Sequence, residues 1–174
     1  TLNIPKDKVI ITFFDNTFGY NGISTFEEHE IFIEAINQIA KKNCNHFIIY
    51  RPKKIILDTN YLKLTAKLYE NSNFIQIDKN FNLLSEELIG VSDLVVSSPF
   101  SSIQTDTLSV NKKLITFEPD IRFRKYNSFI NNLPKCKANT IDELNYLVKY
   151  WLNTKSENEF DILKKIVSEK YTIN

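Results

Sequence analysis

The chain has no methionine and only three glycines, two cysteines and two histidines in 174 residues, and each scarcity removes a class of function. Cys44 and Cys136 stand far apart, in no C-x-x-C or Cys/His cluster. That argues against a zinc ribbon or a redox motif and fits free thiols in a reducing compartment. Charge of one sign is also lacking, with 22 Lys and Arg against 21 Asp and Glu. The chain therefore carries no general attraction for nucleic acid or an anionic membrane, and any anion site has to be local. No apolar run approaches the ~18 residues that span a bilayer, and no signal-peptide pattern opens the chain. No transmembrane segment is expected, and the location is read as cytoplasmic, free or at the inner face of the membrane. G-x-S-x-G and G-x-G-x-x-G are both missing, which removes the usual serine hydrolase and dinucleotide fingerprints. No metal and no cofactor is expected. The start at Thr1, with no methionine anywhere, leads us to expect an excised or processed chain.

What the chain does have is strict alternation. Lys8–Phe14, His46–Tyr50, Phe74–Ile77, Leu94–Val96 and Lys113–Phe117 are short, largely apolar, β-branched or aromatic runs that read as buried parallel strands. Between them lie helical patterns. Thr25 and Glu28 form a capping box for a helix from about Phe26 to Lys42. Asp58–Glu70 reads as a second helix and Asn80–Ile89 as a third, which Gly90 would end. Pro134–Ala138 reads as a sixth, edge strand. Residues 140–174 read as C-terminal helices, one opened by Thr140 and Glu143 and one carrying Phe160, Leu163, Ile166 and Val167. The expected fold is α/β: a Rossmann-like open, mainly parallel sheet of five to six strands with helices on both faces, in a single domain over residues 1–174.

The most informative stretch is Ser92–Asp106, where strand periodicity gives way to a helix. Pro99 breaks the strand, and Ser101 or Ser102 is a suitable N-cap for a helix anchored by Ile103, Leu108 and Val110. A helix start fed by a strand offers backbone N–H groups to a phosphate, with two hydroxyls as further donors. Asp106, about one turn on, is within range of a sugar hydroxyl. A plain cap on a structural helix explains the same serines equally well. Arg51, Lys53 and Lys54 flank Pro52 at the end of the second strand, the sheet edge where α/β proteins bind ligands. They read either as a phosphate clamp or as a solvated turn. His46 reads as structural and His29 as exposed on the polar face of the first helix. Ile121–Tyr126 interleaves cations with aromatics and suits either base stacking or a half-buried connection.

Asp93-Leu94-Val95-Val96, then Ser101-Ser102-Ile103-Gln104-Thr105-Asp106, then Lys113-Leu114-Ile115-Thr116-Phe117-Glu118-Pro119-Asp120 resemble the C-terminal half of GT-B glycosyltransferases. The resemblance is to the CDP-glycerol glycerophosphotransferase and bacterial capsule or surface-polysaccharide transferase group, over roughly Val9 to Tyr126. It implies a nucleotide-donor-binding half-domain whose N-terminal, acceptor-binding partner domain lies outside this chain. The donor would be a nucleotide-activated sugar or polyol, linked to CMP, CDP or UDP. Ser101, Ser102 and Asp106 fall on the group's donor motif. Arg51 stands where the group has a His-Pro histidine, and Lys53 lies beside it. Asn16 and Thr17 open the loop that resembles the donor-facing turn. The catalytic base is not identified. Two other readings stay open: a GT-B type UDP-sugar hydrolase or epimerase half, and a non-catalytic Rossmann-like interaction domain.

Overall fold

The computed structural model describes residues 4–17, 24–53, 59–77, 82–119, 130, 133, 135–154 and 165. Six strands form one sheet: β1 (Val9–Phe14), β2 (His46–Arg51), β3 (Phe74–Gln76), β4 (Leu94–Ser97), β5 (Lys113–Phe117) and β6 (Lys137–Ala138). Their spatial order is β3-β2-β1-β4-β5-β6, and every pairing among the described residues is parallel. The chain thus builds outward from β1 in one direction, then crosses back to build outward from β4 in the other. This is the Rossmann order, with its reversal between β1 and β4. There Ile11 pairs with Leu94 and Phe14 with Ser97.

Parallel strands need crossovers, and right-handed crossovers set the faces. Helices α1 (Phe26–Lys42) and α2 (Thr59–Ala66) share a face, and α5 (Ile141–Asn153) packs there against α1. Helices α3 (Ser85–Val91) and α4 (Ile103–Ser109) pack together on the opposite face. Both faces being covered explains why the central strands are apolar throughout: Ile11, Phe13, Ile48, Ile49, Leu94 and Val96 are all completely buried. Phe32 seats α1 on the sheet. It meets Phe13 edge-on at 6.1 Å between ring centres and lies tilted against Phe117 at the same distance.

The capping box expected at Thr25 is present, with the Thr25 hydroxyl accepting from the Glu28 amide and the Glu28 carboxylate accepting from the Thr25 amide. The third helix departs from expectation. It begins at Ser85, behind a Leu84 amide that donates to the Glu87 carboxylate at 2.7 Å. Gly90 lies inside it rather than ending it. The stop comes at Ser92, whose hydroxyl donates back to the Leu88 carbonyl at 2.6 Å while its amide donates to Ile89. The second helix tightens into a 3-10 turn over Lys67–Glu70. The aromatic and basic segment 121–126 and the final helix expected around Phe160–Val167 lie outside the described residues, apart from Lys165, which is helical.

Truncating the ring that seats α1 tests this packing. Phe32→Ala is expected to cost about 3–5 kcal/mol in urea unfolding, the range for deleting a buried aromatic side chain. A loss below about 1 kcal/mol would mean that α1 does not rest on the sheet through this residue.

Candidate functional site

The carboxyl ends of β1, β2 and β4 come together at one sheet edge. The chain locks them with side chains placed directly after the strands. Asn16 donates from Nδ2 to the Pro99 carbonyl at 2.7 Å, tying the end of β1 to the turn after β4. The Ser98 amide donates to the Phe14 carbonyl at 2.9 Å, and Gln104 Nε2 reaches the Ser98 carbonyl and the Thr116 hydroxyl. Phe100 takes a positive φ of 57°, which lets the chain turn sharply from β4 into α4. On the other side of β1, the Tyr50 hydroxyl donates to Asp15 Oδ2 at 2.5 Å and the Lys53 amide donates to Asp15 Oδ1.

Between these anchored turns lies an open polar cleft of about 330 Å³. Phe14 and Asp15 form its floor, Arg51 and Lys53 one wall, and Ser101, Ser102 and Asp106 the other. Because β1 sits between β2 and β4, the cations stand on one side of it and the acidic group on the other. Glu86 joins Asp106 on the acidic side. Burial, and then the neighbouring Glu86 charge, push the Asp106 carboxyl above its ordinary range. Such a polarised cleft can hold an anion against Arg51 and Lys53 while carboxylates accept from hydroxyl groups opposite. No group of three or more His, Cys, Asp or Glu side chains among the described residues is arranged to hold a metal ion.

The structure thus gathers five of the seven residues singled out from sequence, namely Arg51, Lys53, Ser101, Ser102 and Asp106, around one cleft. Asn16 lines a separate small pocket of about 20 Å³ beside Glu28, His29 and Glu118, room for roughly one water. Thr17 borders neither cavity. Its carbonyl accepts from Ser24, and its amide donates to Asn16.

Of the two serines offered as caps, Ser101 serves and Ser102 does not, while two expectations need correction: Val110, expected to anchor α4, is exposed at its C-terminal end, and His29 is buried. Ser102 is not a side-chain cap: its backbone is already helical and its hydroxyl makes no capping bond. Ser101 Oγ accepts from the Ile103 amide at 3.3 Å, and the Gln104 and Asp106 amides find carbonyls at Ser101 and Ser102. With these amides engaged, and with α4 only seven residues long, the cations and hydroxyls of the cleft carry more weight than a helix dipole. His29 is not exposed. Only 3% of its surface reaches solvent, it stacks on Tyr61 at 5.6 Å, and its Nδ1 lies 3.7 Å from Asp15.

Sequence reasoning missed Asp15, which read as a turn signal. Desolvation raises its carboxyl from 3.8 to about 7, against the lowering effects of Tyr50 and Lys53. Burial holds His29 down at about 4, so it is neutral near pH 7 and offers Asp15 no compensating charge. Burial drives Tyr50 well above its ordinary value and takes Tyr61 to about 12.

The two opposed shifts give a pH prediction. His29 takes up a proton less readily folded than unfolded, so its contribution is full above about 6.5 and is lost as pH falls towards 4. Asp15 keeps its proton longer folded than unfolded, so its contribution is full below 3.8 and is lost as pH rises towards 7. Between about pH 4 and 6.5 the slopes cancel in the parent. Relative to the parent, His29→Gln is expected to lose stability as pH rises across this window and Asp15→Asn to gain it, each by up to about 1.4 kcal/mol per pH unit. Urea titrations at several pH values check this, and identical pH slopes in all three proteins would contradict it.

The fold recurs in solved structures. A protein described as a UDP-N-acetylglucosamine 2-epimerase from Listeria monocytogenes superposes with a TM-score of 0.63 at 13% identity, over 97% of this chain and 47% of that one. The UDP-GlcNAc 2-epimerase from Neisseria meningitidis, bound to UDP-GlcNAc, gives 0.59 at 15% identity, over 94% and 40%. S. aureus MnaA with UDP gives 0.56 at 11% identity, over 96% and 47%. At these identities the likeness is one of fold, a GT-B-like domain, and the chain spans less than half the length of each. No curated protein sequence matches the chain significantly. The resemblance to polysaccharide transferases holds at the level of the pathway class, without singling out the CDP-glycerol group. Residues 4–148 match the polysaccharide biosynthesis PFTS motif family, and the chain belongs to it.

Proposed function

We propose that this domain binds the nucleotide-activated sugar used by a transferase of surface-polysaccharide biosynthesis, and that the cleft between the β2 turn and α4 is the donor site. The observation that carries the reading is the convergence of Arg51 and Lys53 with Ser101, Ser102 and Asp106 around one polar cleft at the carboxyl edge of a parallel sheet. In this reading Arg51 and Lys53 neutralise the diphosphate and the serine hydroxyls donate to it. Asp106 accepts from a hydroxyl of the sugar. Stabilising the departing nucleotide is then this domain's share of catalysis. An acceptor-binding partner domain outside residues 1–174 supplies the acceptor and the general base. A uridine donor is favoured over a cytidine one, because similar folds are seen with UDP and UDP-GlcNAc.

Isothermal titration of residues 1–174 with UDP, UDP-GlcNAc, CDP and CMP tests the assignment. Binding with a Kd of about 1 mM or tighter is expected for the uridine ligands. Arg51→Ala is expected to weaken it by about 1.5–3 kcal/mol, the range for a hydrogen bond to a charged group. Its unfolding curve should stay close to that of the parent. No binding by any of the four at roughly 5 mM, weaker than about 3 kcal/mol, would favour a non-catalytic interaction domain.

A further inference from the structure

Asp15 is an unusual carboxylate for the floor of an anion site. It is 95% hidden from solvent, yet it borders both the cleft and the small pocket behind it. Its two oxygens are both used. Oδ1 accepts from the Lys53 amide, and Oδ2 accepts from the Tyr50 hydroxyl at 2.5 Å. Residues 50 and 53 bracket Arg51 and Pro52, and Pro52 has no amide with which to extend the sheet ladder. Arg51, the last residue of β2, is in register with Phe14 of β1, and just beyond it the Asp15 carboxylate ties the Lys53 amide to the end of β1.

We propose that Asp15 is the positioning residue of the cleft, its buried carboxylate fixing the Arg51–Lys53 turn in the geometry that meets an anionic ligand. The proposal rests on the donor-site reading for its ligand, but the tether itself is a feature of the ligand-free chain. A bare charge in the same place would have the opposite consequence, since a carboxylate beside a phosphate site repels the phosphate. The two roles thus differ in sign. As a tether, Asp15 works best ionised, because both bonds are then charge-assisted, whereas protonation or amidation leaves a neutral acceptor for the Lys53 amide and reverses the Tyr50 bond, so that the hydroxyl accepts. Several groups bear on that ionisation. Tyr50 faces Asp15 from β2, Lys53 from the turn, His29 from α1 and Tyr61 from α2. Arg51, Glu86 and Asp106 share the cleft with it, and Glu28 and Glu118 share the small pocket. Desolvation is the largest influence among them and brings the carboxyl to about 7, so the tether switches within the neutral range.

The experiment has two arms. In the ligand-free protein, the Lys53 amide resonance is followed from about pH 5 to 9 by NMR, together with the Asp15 carboxyl carbon. A shared midpoint is expected, with the Lys53 step absent in Asp15→Asn. A Lys53 amide indifferent to Asp15 overturns the proposal. In the second arm, UDP-GlcNAc affinity is measured over the same range. This ligand lacks the terminal phosphate ionisation that falls near pH 6 in monoesters, so its own charge stays constant. Binding is expected to tighten as pH rises through the Asp15 midpoint. At the upper end Asp15→Asn should bind about 3- to 10-fold more weakly, the worth of the charge assistance lost from the bonds that hold the turn. Tyr50→Phe, which keeps the carboxylate and removes one donor, should move affinity in the same direction. Tighter binding by Asp15→Asn would mean that charge repulsion dominates, and would overturn the positioning role. Failure of the parent to bind UDP-GlcNAc would sink the donor-site reading and leave the first arm to decide the tether.

Discussion

The pairing of β1 with β4 is the contact on which the rest of the molecule depends. The first three strands grow away from β1 and the last three away from β4, so this ladder joins the two halves of the sheet. It also determines where a ligand can sit. Helices cross to opposite faces on either side of the reversal, and the turns leaving β1 and β4 diverge there, opening space above the strand ends. Asn16 bonded to Pro99, and the Ser98 amide bonded to Phe14, reinforce the junction where that space begins. The Thr12 and Ser92 hydroxyls, 2.5 Å apart and buried, add a polar link from β1 to the end of α3.

A chain of nearly balanced charge can still set cations and carboxylates apart within one cleft. The cations cluster after β2, and the carboxylates of Glu86 and Asp106 sit on the β4 side, so the field is set by placement rather than by net charge. This arrangement costs stability at Asp15. Raising a carboxyl from 3.8 to about 7 corresponds to a penalty on the order of 4 kcal/mol for its ionised form. Proteins retain such groups mostly at working sites, where strain in one group fixes the geometry of others.

Much of the fold was legible because its signals are local. The β-branched runs from Val9, His46, Leu94 and Lys113 mark strands buried on both faces, and Thr25 with Glu28 marks a helix start. Alternation then demands a parallel sheet. Gly90 misled because glycine at the end of an apolar pattern resembles a C′ residue, whereas the stop is made by Ser92 reaching back to Leu88. The basic turn and the serines were visible as motifs, but that they face each other across β1 depends on strand order, which no local pattern reveals. Asp15 and His29 were hidden for a different reason. Their significance lies in burial, and each is polar enough to read as surface. One signal was available: His29 stands at i, i+3, i+4 and i+7 spacing with Phe32, Ile33 and Ile36, on the stripe that faces the sheet.

The most direct measurement is a crystal structure of residues 1–174 with UDP-GlcNAc. The diphosphate is expected between the Arg51–Lys53 turn and Ser101–Ser102, with Asp106 within hydrogen-bond reach of a sugar hydroxyl. Phosphates bound elsewhere on the sheet edge, or a cleft left empty at saturating ligand, would contradict it.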